Sequence, residues 1–130
     1  MISSIYAGIL ALLIVWLSLN VIKLRRANKV RLGDGGIPQL QNAIRAQGNA
    51  TEYVPIALVL LVLLELSGAY PLLVHLGGAA IIIGRLLHAK GLLTDNLRFR
   101  VLGMQITIFT IVSLAVSDMG FGLYKLLVSN

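Results

Sequence analysis

Apolar residues in this chain gather in long unbroken runs rather than in alternating or amphipathic stripes. A helix needs roughly 20 mainly apolar residues to cross a bilayer, with a range of about 17 to 25. Four segments meet that requirement: Ile5 to Ile22, which holds no charged residue; about Ala50 to Leu66, with Glu65 near its far end; Pro71 to Leu87; and Val101 to Ser117. The pattern predicts an all-α fold, a four-transmembrane-helix bundle forming one domain over residues 1–130. The first run lacks a basic leader and a small-residue cleavage site, so it reads as a span and not as a secretory signal. Between the first two runs, Gly33-Asp34-Gly35-Gly36 marks a turn, and Pro38 behind it suits the first turn of a helix. The second helix is therefore expected to begin outside the membrane at Pro38 and run into it, with Pro55 bending it near the entry. Ser67-Gly68-Ala69-Tyr70-Pro71 is a short turn that makes helices two and three an antiparallel hairpin. Gly77, Ala80 and Gly84 form a small-residue stripe of the kind that lets helix backbones approach closely in lipid.

Composition agrees with this reading. The 130 residues are 58% hydrophobic and 12% charged, with a mean hydropathy of +0.90, whereas a soluble domain carries about 25% charged residues. The net charge of +6 and a pI near 10.2 would suit a nucleic-acid partner, but the distribution argues against one. Lys23, Arg25, Arg26, Lys29, Arg31 and Arg45 flank the first connection; Arg85, Lys90, Arg98 and Arg100 bracket the third. The second connection is uncharged, and the C-terminal end has only Lys125. By the positive-inside rule the two basic connections face the cytoplasm and both termini the periplasm, so the charge is a topology signal and no nucleic acid is implied. Without cysteine there is no disulfide, no thiolate metal site and no protein thiol nucleophile, and any thiol chemistry must come from a bound substrate.

The densest chemistry lies in Arg45-Ala46-Gln47-Gly48-Asn49-Ala50-Thr51-Glu52-Tyr53-Val54-Pro55. Arg45, Asn49, Glu52 and Tyr53 fall at i, i+4, i+7 and i+8, one stripe of a helix at the membrane mouth. Ionisable groups there are costly to bury and tend to be functional. Donors and an acceptor on one face suit a small zwitterionic ligand; a structural ion pair between Arg45 and Glu52 is the plainer alternative. His75 and Glu65 are too sparse for a metal site, and none is expected.

The same segment resembles the second-helix signature of the MAPEG family, the membrane-associated proteins in eicosanoid and glutathione metabolism, whose pattern is Arg-Ala-x-x-Asn-x-x-Glu with an aromatic and a proline following. Arg25-Arg26-Ala27-Asn28-Lys29-Val30 is similar to the basic end of the first helix in the leukotriene-C-forming synthase of that family. Gly84-Arg85-Leu86-Leu87-His88 and Arg100-Val101-Leu102-Gly103-Met104 resemble the end of helix three and the start of helix four in small bacterial inner-membrane members. The resemblance covers essentially the whole chain. It implies a homotrimer of four-helix protomers, with glutathione as co-substrate bound between subunits near the cytoplasmic surface. Arg45, Asn49 and Glu52 would contact the glutathione backbone, Tyr53 would add a hydroxyl, and Arg25 or Arg26 would meet a carboxylate. Arg85 and Arg100 lie where family members place arginines that bind glutathione or stabilise its thiolate, and Arg100 is the expected catalytic group. His88 stands where the synthase has a glutathione-contacting tyrosine, and Leu92 replaces a second tyrosine. The implied activity is a membrane-bound glutathione transferase, with peroxidase activity as a variant, acting on a lipophilic electrophile that enters from the membrane lipids. The alternative is a non-enzymatic lipid-binding or accessory membrane protein of the same fold. Glu65, Asp118 and His75 fall on the opposite membrane face: His75 reads as structural, and polar packing at a trimer axis or interfacial exposure accounts for the two acids.

Overall fold

A computed structural model describes residues 1–128 as four helices: α1 (Ile2–Asn28), α2 (Pro38–Leu66), α3 (Pro71–Leu93) and α4 (Leu97–Val128). All four are long and apolar enough to cross a membrane, and no strand occurs among the described residues. The expected bundle is present, and each helix outruns its apolar core. α2 starts at Pro38, as its position after the glycine turn requires, and continues unbroken through Pro55. α4 starts three residues before Arg100 and continues past Asp118.

The connections are short and locally determined. α1 ends at Lys29 in the left-handed region, where the amides of Lys29 and Val30 bond back to the carbonyls of Arg26 and Arg25. This wraps the chain back across the helix end. Asp34 Oδ1 then accepts the Gly36 amide at 2.9 Å, an Asx turn that hands the chain to Pro38. The α2–α3 hairpin turns at Gly68, whose φ of +84° excludes most side chains.

Apolar side chains of all four helices meet in a core around Leu10, Val54, Leu61, Val74, Ile81 and Leu114. α3 packs on α4 and α2, while the backbone of α1 lies against α2 and α3 and not against α4 among the described residues. The small-residue stripe does serve packing: a side chain at Gly77 would press on Leu61 and Leu114, and one at Gly84 would strike Thr107. The closest helix approach lies further along α3, where a Cβ on Gly91 would collide with the Arg100 backbone and one on Gly103 with the backbone of His88.

At the opposite membrane face Glu65 and His75 find their partners within the protomer. Glu65 at the end of α2 accepts from the Ser3 amide at 2.9 Å and also from the Ile2 amide and the Ser3 hydroxyl. It thus caps the N-terminus of α1, whose first amides have no partner within the helix. Glu65 thus has partners within the protomer, beside the trimer-axis packing or interfacial exposure expected of it. His75 Nδ1 meets the Tyr6 hydroxyl at 2.8 Å, the structural role expected of it. Both carboxyl oxygens of Asp118 are buried and have no hydrogen-bond partner among the described residues.

The α3–α4 approach gives a direct test. Gly103→Ala forces a methyl into the His88 backbone and is expected to destabilise the protein by about 1–3 kcal/mol, the usual range for overpacking. Thermal unfolding in detergent should show it, with Gly122→Ala, which meets open space, as the silent control.

Candidate functional site

The glycine contact sets the ends of α3 and α4 side by side, with α2 across them. Between the three helices lies a cleft of about 400 Å³ lined by Arg45, Asn49, His88, Leu92, Arg100, Val101, Met104, Gln105 and Ile108. Its lining is amphiphilic: Arg45, Asn49, His88, Arg100 and Gln105 supply donors and positive charge, while Leu92, Val101, Met104 and Ile108 supply an apolar wall.

Behind the cleft sits Arg85, only 2% exposed. Its Nε and Nη2 donate to Thr107 Oγ1 at 3.0 and 2.8 Å, and Nη1 donates to Asn49 Oδ1. The Thr107 hydroxyl passes its own proton to the Gly103 carbonyl at 2.8 Å, which turns its lone pairs toward the guanidinium. The Tyr53 ring lies 5.3 Å from the guanidinium carbon, a cation–π contact. Every recorded partner of Arg85 is neutral: among the described residues no carboxylate reaches it, and the ion pair of this region is Arg45–Glu52. A buried cation met only by neutral dipoles leaves uncompensated positive potential at the cleft floor.

This network fixes the polarity of the groups in front of it. A guanidinium only donates, so the Asn49 side-chain oxygen must face Arg85, leaving the amide N–H groups as donors on the cleft side. His88 Nδ1 lies 3.0 Å from the Arg100 carbonyl oxygen, which only accepts. Nδ1 therefore carries the hydrogen, and in the neutral ring Nε2 holds the lone pair. Asn96 caps α4 through its side chain on the Phe99 amide at 3.2 Å, so the positive end of that helix dipole lies beside Arg100.

The residues singled out from sequence are distributed as follows. Arg45, Asn49, His88 and Arg100 converge on the cleft. The stripe on α2 splits: Asn49 turns inward and Tyr53 is half-buried against Arg85, while Arg45 and Glu52 point outward, side chains 58% and 56% exposed, 4.0 Å apart. Arg85 backs the cleft without lining it. Arg25 and Arg26 are not brought to it within one protomer; they line a separate recess at the end of α1. Thr107 and Gln105 of α4 escaped the sequence reading, although two polar residues inside an apolar span were a signal for them. No group of three or more metal-ligating side chains occurs among the described residues.

Comparison with known proteins places this arrangement. The sequence pattern of the MAPEG family matches residues 3–117. Over 129 residues, 99% of this chain and 98% of the relative, the chain is 38% identical to inner membrane protein YecN of Escherichia coli strain K12. The YecN of Escherichia coli O6:H1, strain CFT073, matches at the same 38% over the same length.

The Arg85 network predicts a cost for removing its acceptor. Thr107→Val keeps the shape and removes the oxygen that takes two guanidinium bonds. A hydrogen bond to a charged group contributes about 1.5–3 kcal/mol, and a loss of that size is expected in unfolding by denaturing detergent. Thr107→Ser should recover most of it.

Proposed function

The chain belongs to the MAPEG family, and from that premise we propose that it is a membrane-bound glutathione transferase acting on hydrophobic electrophiles. The observation that carries this reading is the cleft itself: cationic and donor groups at one end, an apolar wall at the other, and a buried, uncompensated arginine behind. Such a site favours an anionic head on an otherwise apolar reaction partner. The location of the YecN relatives supports a bacterial inner membrane, and the charge distribution supports a cleft on the cytoplasmic side with both termini periplasmic.

Glutathione supplies two carboxylates, an ammonium group and a thiol. In this reading Arg45 takes a carboxylate through charge-assisted bonds, the Asn49 amide donates to a backbone carbonyl of the tripeptide, and Glu52 meets its ammonium group. Arg100, at the start of α4, stabilises the thiolate: a free thiol has a pKa of about 8.5, and a guanidinium together with a helix N-terminus lowers it. The His88 Nε2 lone pair accepts a hydrogen bond where the resembled synthase offers a tyrosine. Tyr53 acts indirectly, by holding the Arg85 guanidinium. The electrophile enters from the bilayer along Val101, Met104 and Ile108. The thiolate sulfur forms a bond to its electrophilic carbon, and the electron pair displaced there is taken up as the leaving group departs or the ring opens.

Arg25 and Arg26 enter this reading through a neighbouring protomer. Within one protomer they line a recess of their own, and in this reading a homotrimer brings them to the cleft of a neighbour.

The test is an ultraviolet titration of the purified protein with glutathione at neutral pH. A saturable thiolate band is expected, and Arg100→Ala should raise the bound thiol's pKa by at least about one unit, a loss of about 1.4 kcal/mol of thiolate stabilisation. Arg45→Ala should weaken binding and leave the thiolate fraction of the bound ligand unchanged. No binding at millimolar glutathione would overturn the transferase reading and leave the lipid-binding or accessory role.

A further inference from the structure

One polar side chain in the cleft stands apart from the rest. Gln105 lies in the apolar wall supplied by α4, with Val101 four residues before it and Ile108 three after, on the same side of the helix. The hydroxyls along this helix are satisfied internally. Thr107, Thr110, Ser113 and Ser117 each donate to the carbonyl one turn back, at 2.7–2.8 Å. Gln105 is exposed and its amide forms no hydrogen bond among the described residues. An unpaired amide in apolar surroundings is costly, so this group suits a ligand that carries an acceptor to its depth.

Gln105 follows Arg100 by five residues, a rise of about 7.5 Å along the helix. Val101 and Met104 come between them around the helix, and all four line the cleft. A sulfur and the carbon it attacks meet at about 3–3.5 Å. A donor to a developing oxyanion stands about 2.7–3.1 Å from the oxygen. With sulfur at Arg100 and the donor at Gln105, the spacing fits an electrophile whose oxygen is set a short carbon segment away from the carbon attacked. In a halide or an epoxide the displaced electron pair goes to an atom bonded directly to that carbon. In an α,β-unsaturated carbonyl it goes to an oxygen three bonds away.

On the basis of the glutathione reading of the same cleft, we propose that its electrophile is a long-chain α,β-unsaturated aldehyde or ketone and that Gln105 is the donor to the carbonyl oxygen. The thiolate sulfur gives its electron pair to the β-carbon and forms the new S–C bond. The C=C pair shifts toward the carbonyl carbon and the C=O pair moves onto oxygen. The resulting enolate is held by the Gln105 amide N–H. Water then returns a proton to the α-carbon and the carbonyl reforms. Nothing departs, and neither an oxidant nor a reductant is consumed.

The experiment uses the full chain in neutral detergent with glutathione and three nine-carbon probes: trans-2-nonenal, 1,2-epoxynonane and 1-bromo-2-nonene. The rate enhancement over the uncatalysed reaction is expected to be largest for nonenal. Gln105→Met keeps the length of the side chain and removes the donor. It should lower the ratio of kcat/KM for nonenal to that for the bromide by about 100-fold, the low end for loss of one oxyanion donor. The loss should fall on kcat and not on KM, because the bond forms in the transition state. A larger enhancement for the epoxide or the bromide, an unchanged ratio, or equal losses with both probes would each overturn the proposal. So would a change in oligomeric mass in the variant, which would make Gln105 a contact between copies of the chain. The thiolate titration separates the two levels of the argument. A thiolate band without preference for nonenal overturns the role of Gln105 alone, whereas no band in the unaltered protein overturns the transferase reading and this assignment with it.

Discussion

The constraint on which the rest of this structure depends is the near-contact of the α3 and α4 backbones at Gly84, Gly91 and Gly103. A methyl at Gly91 or Gly103 would overlap backbone atoms of the facing helix. In lipid no hydrophobic force drives helices together, and close backbone packing has to supply the attraction. Here it also supplies registry. With Gly91 against Arg100 and Gly103 against His88, the imidazole Nδ1 reaches the Arg100 carbonyl and Thr107 lies under Arg85. Three groups that matter to the cleft are thus set by three residues that have no side chain.

Burying Arg85 carries a large desolvation cost, and nothing within the protomer neutralises the charge. A leucine there would serve a bilayer core better. The cost is partly offset by the oriented Thr107 hydroxyl, the Asn49 oxygen and the Tyr53 face. These groups are tied to three helices, so the guanidinium joins α2, α3 and α4 at the level of the cleft. The remaining positive potential has an outlet only in what the cleft accepts. Stability and ligand preference are coupled through one side chain: loosening its partners weakens the bundle and also frees Asn49 to present its oxygen instead of its amide.

How much of this was legible in the sequence follows from which forces act locally. Span number and order were readable because bilayer thickness imposes a length on every apolar run. The start of α2 at Pro38 and the hairpin at Gly68 were readable because proline and positive-φ glycine act on their immediate neighbours. The Arg45, Asn49, Glu52 and Tyr53 stripe was readable as a stripe, but which members face inward was not. A four-residue pattern spans more than a quarter of the helix circumference, and only packing against α3 decides that Asn49 turns to Arg85 while Glu52 stays outside. The partners of Glu65 were not legible for a similar reason: Ile2 and Ser3 lie more than sixty residues away. Arg85 was flagged as a ligand-contacting group; its place behind the cleft depends on Thr107, whose alignment with Arg85 is set by the packing of α3 on α4.

The two membrane faces of the protomer arrange their polar groups differently, and that difference supports the proposed site. On the far face Glu65 closes α1, and His75 meets Tyr6, so polar groups there complete the fold. On the near face Arg45 and Arg100 stay exposed, and the donors of Asn49 and the free nitrogen of His88 are turned toward the cleft by bonds on their other sides. Asn49 and His88 are instead oriented from behind, by Arg85 and by the Arg100 carbonyl, with their remaining polar atoms left for the cleft. Leu92 sharpens the inference. Placed in the cleft wall and 5% exposed, it withholds a hydroxyl where the resembled synthase has one and extends the apolar surface toward His88. In the proposed reading the ligand's charge is held at the Arg45 and Arg100 end and its partner is apolar, the division of labour that conjugating a charged thiol to a lipophilic carbon requires.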